Sequence, residues 1–207
     1  MMKKLFFTML ALLPFAMWAQ DNTWEINEEE EIKQVETAKP KVDAKYLKGA
    51  VPEVNGQVVF STSIEAPGKT AAQVYDIMFQ YLERLTRTTN QIQSQIASAD
   101  AQKHEIVGAY QEWLVFKKSL LSLDRTRFFY VLQVQCNDGR ADVEMKRIRY
   151  LYEEERDPRH YRAEDWITDK EAVNKKNTKL LPISGKFRRK TIDRKDFLFN
   201  KFQSLLK

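Results

Sequence analysis

The chain has 207 residues, of which 43% are hydrophobic and 30% are charged, a balance typical of a water-soluble globular protein with one domain of ordinary size. Its single cysteine excludes a disulfide framework and cysteine-rich zinc modules, and its two histidines disfavour a histidine-ligated metal centre. The net charge of +5 is unevenly distributed, because residues 175–207 carry eleven basic and two acidic side chains and the rest of the chain is net acidic.

The first 19 residues have the three parts of a secretory signal peptide. Lys3 and Lys4 supply the positive start, Leu5–Trp18 is almost entirely apolar, and the small Ala19 suits a cleavage site. The apolar stretch is shorter than the ~20 residues that span a bilayer. These features predict an exported protein, periplasmic or extracellular. Because no cysteine lies near the cleavage position, we expect that the protein is not lipid-anchored at its N-terminus.

An acidic lead-in follows the signal peptide. Residues 20–50 contain the acidic run Glu28–Glu31, Pro40 and few large apolar side chains, a composition typical of flexible chain. We therefore predict a flexible lead-in over residues 20–50 and a single domain over residues 51–207.

The first strand and the first helix of this domain have clear sequence signals. Apolar residues alternate with smaller or polar ones over residues 58–64, which predicts a strand with one buried face. A helix is predicted over Ala71–Arg87, because Thr70 and Gln73 form a capping-box sequence and apolar residues then recur every three or four positions.

Two further strands are predicted before the middle of the chain. Ile92–Ser98 is a short candidate strand, and a polar loop over Asp100–Lys103 follows it. Glu105–Phe116 has apolar residues on both parities, which predicts a strand covered on both faces for part of its length.

The clearest hairpin in the sequence turns at Asp138 and Gly139. Apolar residues alternate on both sides of this turn, and the alternation changes phase near Lys146 and Arg147, which predicts a β-bulge. Cys136 belongs to the apolar set, so we predict a buried and unreactive thiol. An exposed thiol would instead allow a disulfide-linked dimer.

Two helices are predicted after the strands. Thr168–Glu171 has the sequence of a second capping box and begins a short helix. Asp193–Leu206 is predicted as the last helix, with Thr191 or Asp193 as its cap and Gly185 in the break before it. The element order β-α-β-β-β-β-α-α predicts an α+β fold, an antiparallel curved sheet with helices packed on one face.

No recognised catalytic or cofactor motif is present. The chain lacks the glycine-rich nucleotide-binding strings, the H-E-x-x-H metal motif and the G-x-S-x-G nucleophile elbow. His104 and His160 have no His or Cys partner at ligand spacing. We predict no catalytic residue, no cofactor and no metal site, and a hydrolase whose paired carboxylates are distant in the chain stays open as an alternative.

Two groups of side chains are candidates for binding a partner. A basic stretch around Phe187 would attract phosphate groups, anionic lipid head groups or nucleic acid, unless it pairs with acidic residues of its own domain. Its members are Lys186, Arg188, Arg189 and Lys190. An aromatic set would line a groove for a carbohydrate or an amphiphile, unless it packs in the core. Its members are Trp113, Tyr150, Tyr152, Tyr161 and Trp166.

Several segments of the chain resemble one known family. VNGQVVFSTSIEAPGKTAAQVYD (Val54–Asp76) is similar to the opening of a bacterial family of exported proteins of unknown function, described as having a TATA-binding-protein-like (TBP-like) fold. YVLQVQCNDG (Tyr130–Gly139) continues the resemblance, as do AEDWITDKEAVNKK and GKFRRKTIDRKD near the C-terminus. The resemblance covers most of residues 51–207 and implies the TBP-like fold and export. It brings no known activity or site residues, and the fold name does not imply DNA binding.

The sequence as a whole favours a non-enzymatic, exported binding or interaction domain of the periplasm or cell surface. The expected partner is an envelope protein, a glycan or an amphiphile, and neither nucleic acid nor a membrane-spanning segment is expected. One alternative is a carrier of a small amphiphile or lipid, held in a pocket between the sheet and the C-terminal helix. The second alternative is the hydrolase with a scattered carboxylate site.

Overall fold

A computed structural model describes residues 44–119 and 122–207. The predicted signal peptide and residues 20–43 of the predicted lead-in lie outside the described residues. The end of the lead-in packs against the domain: Ala44–Tyr46 form a 3₁₀ turn, Tyr46 is buried, and its hydroxyl donates a hydrogen bond of 2.7 Å to Asp193. Packing contacts therefore begin before Val51, where the sequence placed the start of the domain.

The described strands form one small and one large antiparallel sheet. The small sheet pairs β1 (Glu53–Val54) with β2 (Gln57–Val58). The strands of the large sheet are β3 (Phe60–Glu65), β4 (Gln95–Asp100), β5 (Glu105–Ser119), β6 (Ser122–Asn137), β7 (Arg140–Tyr152) and β8 (Arg159–Arg162). Their order is β3-β7-β6-β5-β4. β8 also pairs with β7: β3 pairs with the first half of β7, and β8 pairs with its last four residues.

Three helices complete the described fold: α1 (Ala71–Leu85), α2 (Asp169–Ala172) and α3 (Ser184–Leu206). α1 packs on β4 to β7, and α3 packs on β3 and β5. Both helices contact the same face of the sheet. Tyr110 of β5 donates to the carbonyl of Leu82 on α1, and Glu112 of β5 binds Arg194 on α3. Residues two apart on a strand point to the same face, so α1 and α3 lie on one side. The predicted α+β fold, with an antiparallel curved sheet and helices on one face, is confirmed.

The local signals around α1 are also confirmed. The hydroxyl of Thr70 accepts a hydrogen bond from the backbone N–H of Gln73, whose side-chain oxygen accepts one from the N–H of Thr70 at 2.9 Å. These two bonds satisfy backbone donors that the first helical turn leaves without an intrahelical partner. The helix ends at Leu85, two residues before the predicted end.

The predicted hairpin and bulge are present. β6 and β7 are joined at Asp138 and Gly139, and Gly139 has the positive φ of +73° that glycine adopts without steric cost. Opposite Tyr130 of β6, β7 contains one extra residue, so the register between the two strands shifts by one. Arg147, at this point of β7, has a φ of +55°. This bulge returns Ile148 to the buried face, which explains the change of phase in the sequence. Cys136 is buried, as predicted.

The last helix begins nine residues earlier than predicted. α3 starts at Ser184, and both residues predicted as its cap lie inside it with other partners: the hydroxyl of Thr191 bonds that of Tyr150 at 2.7 Å, and Asp193 binds Tyr46. Gly185 belongs to the first turn rather than to a break. A Cβ on Gly185 would lie 2.6 Å from the Cβ of Leu180, so a close approach to the preceding loop requires glycine there.

Two other sequence predictions were wrong in detail. The hydroxyl of Thr168 donates to the carbonyl of Glu164 and does not cap α2, so the second capping box is not formed. The predicted strand over residues 92–98 is shifted, since β4 covers residues 95–100. β5 is buried on both faces around Gln111, as predicted for part of its length, while the apolar residues of its second face are partly exposed.

Candidate functional site

Among the residues that the structure describes, no helix packs on one face of the large sheet. On β5, β6 and β7 most of the side chains that point to the helices are buried, and those of the opposite parity are partly or fully exposed, apart from Gln111. We call this second surface the open face. Its apolar and aromatic members include Val107, Ala109, Trp113, Val115, Leu123, Phe129, Val131 and Leu151.

A cleft on this face, which we call the Trp113 cleft, lies where β6 begins and β7 ends. Its volume is about 480 Å³. Its lining combines an aromatic and apolar floor with charged side chains of both signs. The lining residues are Trp113, Leu123, Asp124, Arg125, Leu151, Tyr152, Glu153, Glu154, Glu155 and Arg156.

Two arginines hold the indole of Trp113 in place. The guanidinium carbon of Arg125 lies 3.6 Å from the centre of the indole ring, and that of Arg127 lies 5.6 Å from it. Arg127 also donates from Nε to Glu154 at 2.9 Å, and its Nη2 binds the other oxygen of the same carboxylate. Arg125 has a weaker acidic neighbour, because Glu155 lies 3.9 Å away and is largely exposed. The Arg125 guanidinium is thus oriented by the indole more than by an ion pair.

The acidic turn after β7 forms one wall of this cleft. Glu153 has a φ of +52°, a left-handed conformation that is uncommon for residues other than glycine. Its carbonyl accepts hydrogen bonds of 3.0 Å from the backbone N–H groups of Arg156 and Asp157, which close the turn. This turn places the carboxylate of Glu153 among the lining groups.

A second cleft, the Gln133 cleft, lies on the same face between β3, β7 and β6. Its volume is about 400 Å³, and its lining is mostly hydroxyl, amide and charged side chains. The lining residues are Ser61, Thr62, Ser63, Gln133, Gln135, Asp142, Val143, Glu144 and Lys146. Many of its polar groups bind one another: Ser63 donates to Asp142 at 2.7 Å, and Lys146 pairs with Glu144 at 2.6 Å.

Arg188, one of the four predicted basic partner-binding residues, is buried. Its guanidinium donates to the carbonyls of Tyr46, Ile167 and Leu47 and pairs with Asp169 at 2.6 Å. Burial lowers the pKa of Arg188, although Asp169 opposes this effect. Because its donors are used inside the domain, Arg188 is removed from the candidate partner-binding set.

The other three basic residues of the stretch have different surroundings. Lys186 donates to Asp124 at 2.7 Å and to the hydroxyl of Tyr152 at 2.9 Å. Burial acts to lower the pKa of Lys186, but these two hydrogen bonds outweigh it, so the pKa is raised. Arg189 is exposed and Lys190 is half-buried. A helix turns by 100° per residue, so consecutive basic residues on α3 do not form one continuous surface.

The predicted aromatic set does not line one groove. Tyr150 is buried in the core beside Phe187. Tyr161 and Trp166 stack on each other, with ring centres 3.9 Å apart. Of the five predicted residues, Trp113 and Tyr152 line the Trp113 cleft.

The sequence reading missed a buried ion pair under the helices. Glu112 of β5 accepts from Nε and Nη2 of Arg194 at 2.7 Å each, and also from the side-chain amides of Asn90 and Gln91. One sequence signal could have revealed this ion pair. Arg194 lies four residues before the apolar Leu198, so both residues are on the same, buried side of α3. This network ties α3 and the loop before β4 to the sheet and lies apart from both clefts.

Two candidate features are not found in the part of the chain that the structure describes. Within residues 44–119 and 122–207, no three His, Cys, Asp or Glu side chains are grouped so that they could hold a metal ion. Across the same residues, no helix has the combined length and apolar character that crossing a membrane requires.

Comparison with known proteins identifies the family. Residues 60–151 match a family described as a domain of unknown function (DUF4468) with TBP-like fold. The crystal structure of a DUF4468 family protein from Bacteroides ovatus is similar over 81% of this chain and 96% of that one, with 41% sequence identity and a TM-score of 0.73. The chain belongs to the DUF4468 family. The family resemblance predicted from the sequence is therefore confirmed.

A more distant structure shares the DUF4468 fold. A TBP-like protein from Parabacteroides distasonis is similar over 75% of this chain and 96% of that one, with 19% identity and a TM-score of 0.62. This likeness shows the fold alone, and the predicted TBP-like α+β fold is confirmed. No curated protein matches the chain significantly. The family description assigns no activity, so a function has to be argued from the surface of the domain.

Proposed function

We propose that this DUF4468 protein is an exported, non-enzymatic binding domain, and that the open face is its binding surface. One observation carries the proposal: the Trp113 cleft and the Gln133 cleft both open on the face of the sheet that the described helices leave uncovered. The opposite face is filled by the packing of α1 and α3, and neither cleft lies between the sheet and α3.

The composition of the open face supports a role in binding. Its apolar surface runs from Val131 and Phe129 to Trp113 near one end, and arginines such as Arg125 and Arg149 lie beside it. Aromatic and arginine side chains are enriched where binding energy is concentrated in interfaces. Paired strands hold these side chains more rigidly than loops do, which reduces the entropy lost on binding.

Export is part of the same proposal and rests on the N-terminal sequence. The positive start, the apolar stretch and the small residue at position 19 support secretion of this chain. The partner is accordingly sought among envelope components.

The test compares two single substitutions that add the same charge to different surfaces. Val131→Glu places a carboxylate in the centre of the open face, beside Ala109 on β5. Gln80→Glu places one on the exposed side of α1. The purified protein and both variants are immobilised and incubated with envelope fractions of Bacteroides ovatus, and bound material is quantified by mass spectrometry.

We expect the unmodified protein and Gln80→Glu to retain the same envelope component, and Val131→Glu to retain at least about tenfold less, a loss of about 1.4 kcal/mol in binding. Thermal melting of the variants checks that both are folded. Equal recovery by Val131→Glu, or no recovery above a blank resin in any sample, refutes the open face as a binding surface.

A further inference from the structure

The Trp113 cleft has the volume of a small-molecule subsite and lies at one end of the broader open face. Its volume of about 480 Å³ falls in the range of about 300–1,000 Å³ that is common for ligand pockets. It is open to solvent at the end of the sheet, so a unit of a longer molecule lying on the open face can enter it.

The charges of the cleft balance, which indicates a neutral ligand. The carboxylate of Asp124 binds Lys186, and that of Glu154 binds Arg127. The remaining charged lining groups are two acidic and two basic side chains, namely Glu153, Glu155, Arg125 and Arg156. A polyanion or a polycation would gain little attraction from such a lining, whereas a ligand with many hydroxyl groups finds both donors and acceptors.

The floor of the cleft supplies apolar contacts next to those polar groups. Trp113 and Leu151 both lie on the open face, each beside Arg127 of β6. The Arg125 guanidinium covers one face of the indole and fixes its orientation, so the apolar surface available to a ligand is the uncovered part of the half-buried ring together with Leu151. Sugar rings present apolar C–H faces edged by hydroxyl groups, and an indole beside charged hydrogen-bonding groups matches both features.

The turn after β7 adds an acidic group to the wall of the cleft. Glu153 adopts a left-handed backbone conformation in this turn, as four other described residues besides glycine do elsewhere in the domain. Here the turn places a carboxylate that has no ion-pair partner among the described residues on the wall of the cleft.

We propose that the Trp113 cleft is a carbohydrate subsite that binds neutral sugar units of a glycan, with Trp113 and Leu151 contacting the ring and Arg125 and Glu153 binding its hydroxyl groups. The inference rests on the proposed binding function of the open face and names the class of ligand at one end of it.

The test measures binding of neutral tetrasaccharides by calorimetry and by tryptophan fluorescence. The probes are cellotetraose, chitotetraose, maltotetraose and mannotetraose, each titrated to about 10 mM, which covers weak affinities. We expect saturable binding of at least one probe. Trp113→Ala should weaken it at least tenfold, and Glu153→Gln should weaken it several-fold without affecting the fold, because Glu153 is exposed. Trp166→Phe, outside the cleft, is the matched control and should bind normally.

The outcomes separate this inference from the proposed function. No saturable binding of the four probes, or binding that Trp113→Ala leaves unchanged, overturns the carbohydrate subsite. Binding of tetragalacturonate or tetralysine in place of the neutral probes also overturns it. If Val131→Glu loses the envelope partner while no sugar binds, the open-face function stands and the subsite fails. If a sugar binds in the cleft while Val131→Glu retains the partner, the subsite stands and the wider surface fails.

Discussion

Replacing Arg194 by alanine tests whether the buried ion pair holds α3 on the sheet. Arg194 is 1% exposed and Glu112 is 0% exposed, so neither charge is stabilised by water. The substitution removes two hydrogen bonds of 2.7 Å and leaves the carboxylate with the amides of Asn90 and Gln91 as its remaining described partners. Breaking a buried ion pair in this way costs about 3–5 kcal/mol.

That cost is a large part of the stability of an ordinary domain, which is about 5–15 kcal/mol. We therefore expect Arg194→Ala to lower the free energy of unfolding by about 3–5 kcal/mol in urea titrations followed by circular dichroism. The thermal midpoint should fall by about 6–20 °C. Burial acts to lower the pKa of Arg194, but attraction to Glu112 outweighs it and raises the pKa, so the arginine stays charged.

Two controls make the result specific. Arg84→Ala removes an exposed arginine from α1 and should change stability by no more than about 0.5 kcal/mol. The double variant Glu112→Leu with Arg194→Met removes both charges and should recover most of the loss, since apolar pairs can replace buried ion pairs. A loss below about 1 kcal/mol in Arg194→Ala, or no recovery in the double variant, would refute the reasoning.

Three further predictions concern single sites. Gly185→Ala should destabilise the protein by about 1–3 kcal/mol in urea titrations, although alanine favours helices, because its Cβ would clash with that of Leu180 at 2.6 Å. Burial raises the pKa of Cys136 from its usual 9.0 to about 12, so native protein should resist iodoacetamide and react once unfolded. The unfolded chain releases this thiol proton first, so stability should fall between about pH 9 and 12, and by less in Cys136→Ala. Lys186→Ala should cost about 1 kcal/mol, less at high salt, because it breaks the partly exposed pair with Asp124.

Each of these predictions has an opposing result. A stability gain in Gly185→Ala would show that the loop before α3 moves aside. Alkylation of Cys136 at the same rate in native and unfolded protein would show that the thiol is accessible. A loss in Lys186→Ala that is unchanged by salt would assign its effect to packing rather than to charge.

Elements with local signals were predictable from the sequence. The turn at Gly139, the capping box of Thr70 and Gln73 and the bulge near Arg147 each depend on residues a few positions apart. The start of α3 was not predictable in this way. Its first turn is selected by the packing of Gly185 against Leu180, while the favourable cap residue Asp193 binds Tyr46, far away in the chain.

The candidate site was predictable in part. Trp113 and Tyr152 were among the aromatic residues identified for a groove, but the acidic turn from Glu153 carries no motif that marks a binding site. The cleft forms because the ends of β6 and β7 meet beside β5. Sequence patterns give the face of a strand on which a residue lies, but not which distant residues share its cleft.

The sequence by itself determined the spacing of apolar residues in each helix and strand, the buried position of Cys136 and the concentration of basic charge after residue 174. Only the tertiary structure decided what those charges do. Arg188 and Arg194 both belong to the basic residues after position 174, yet both are buried on acidic partners, and Arg194 meets Glu112 across 82 positions of the chain. The physical reason is that a helix sets the direction of each side chain, whereas packing between distant elements sets what that side chain meets.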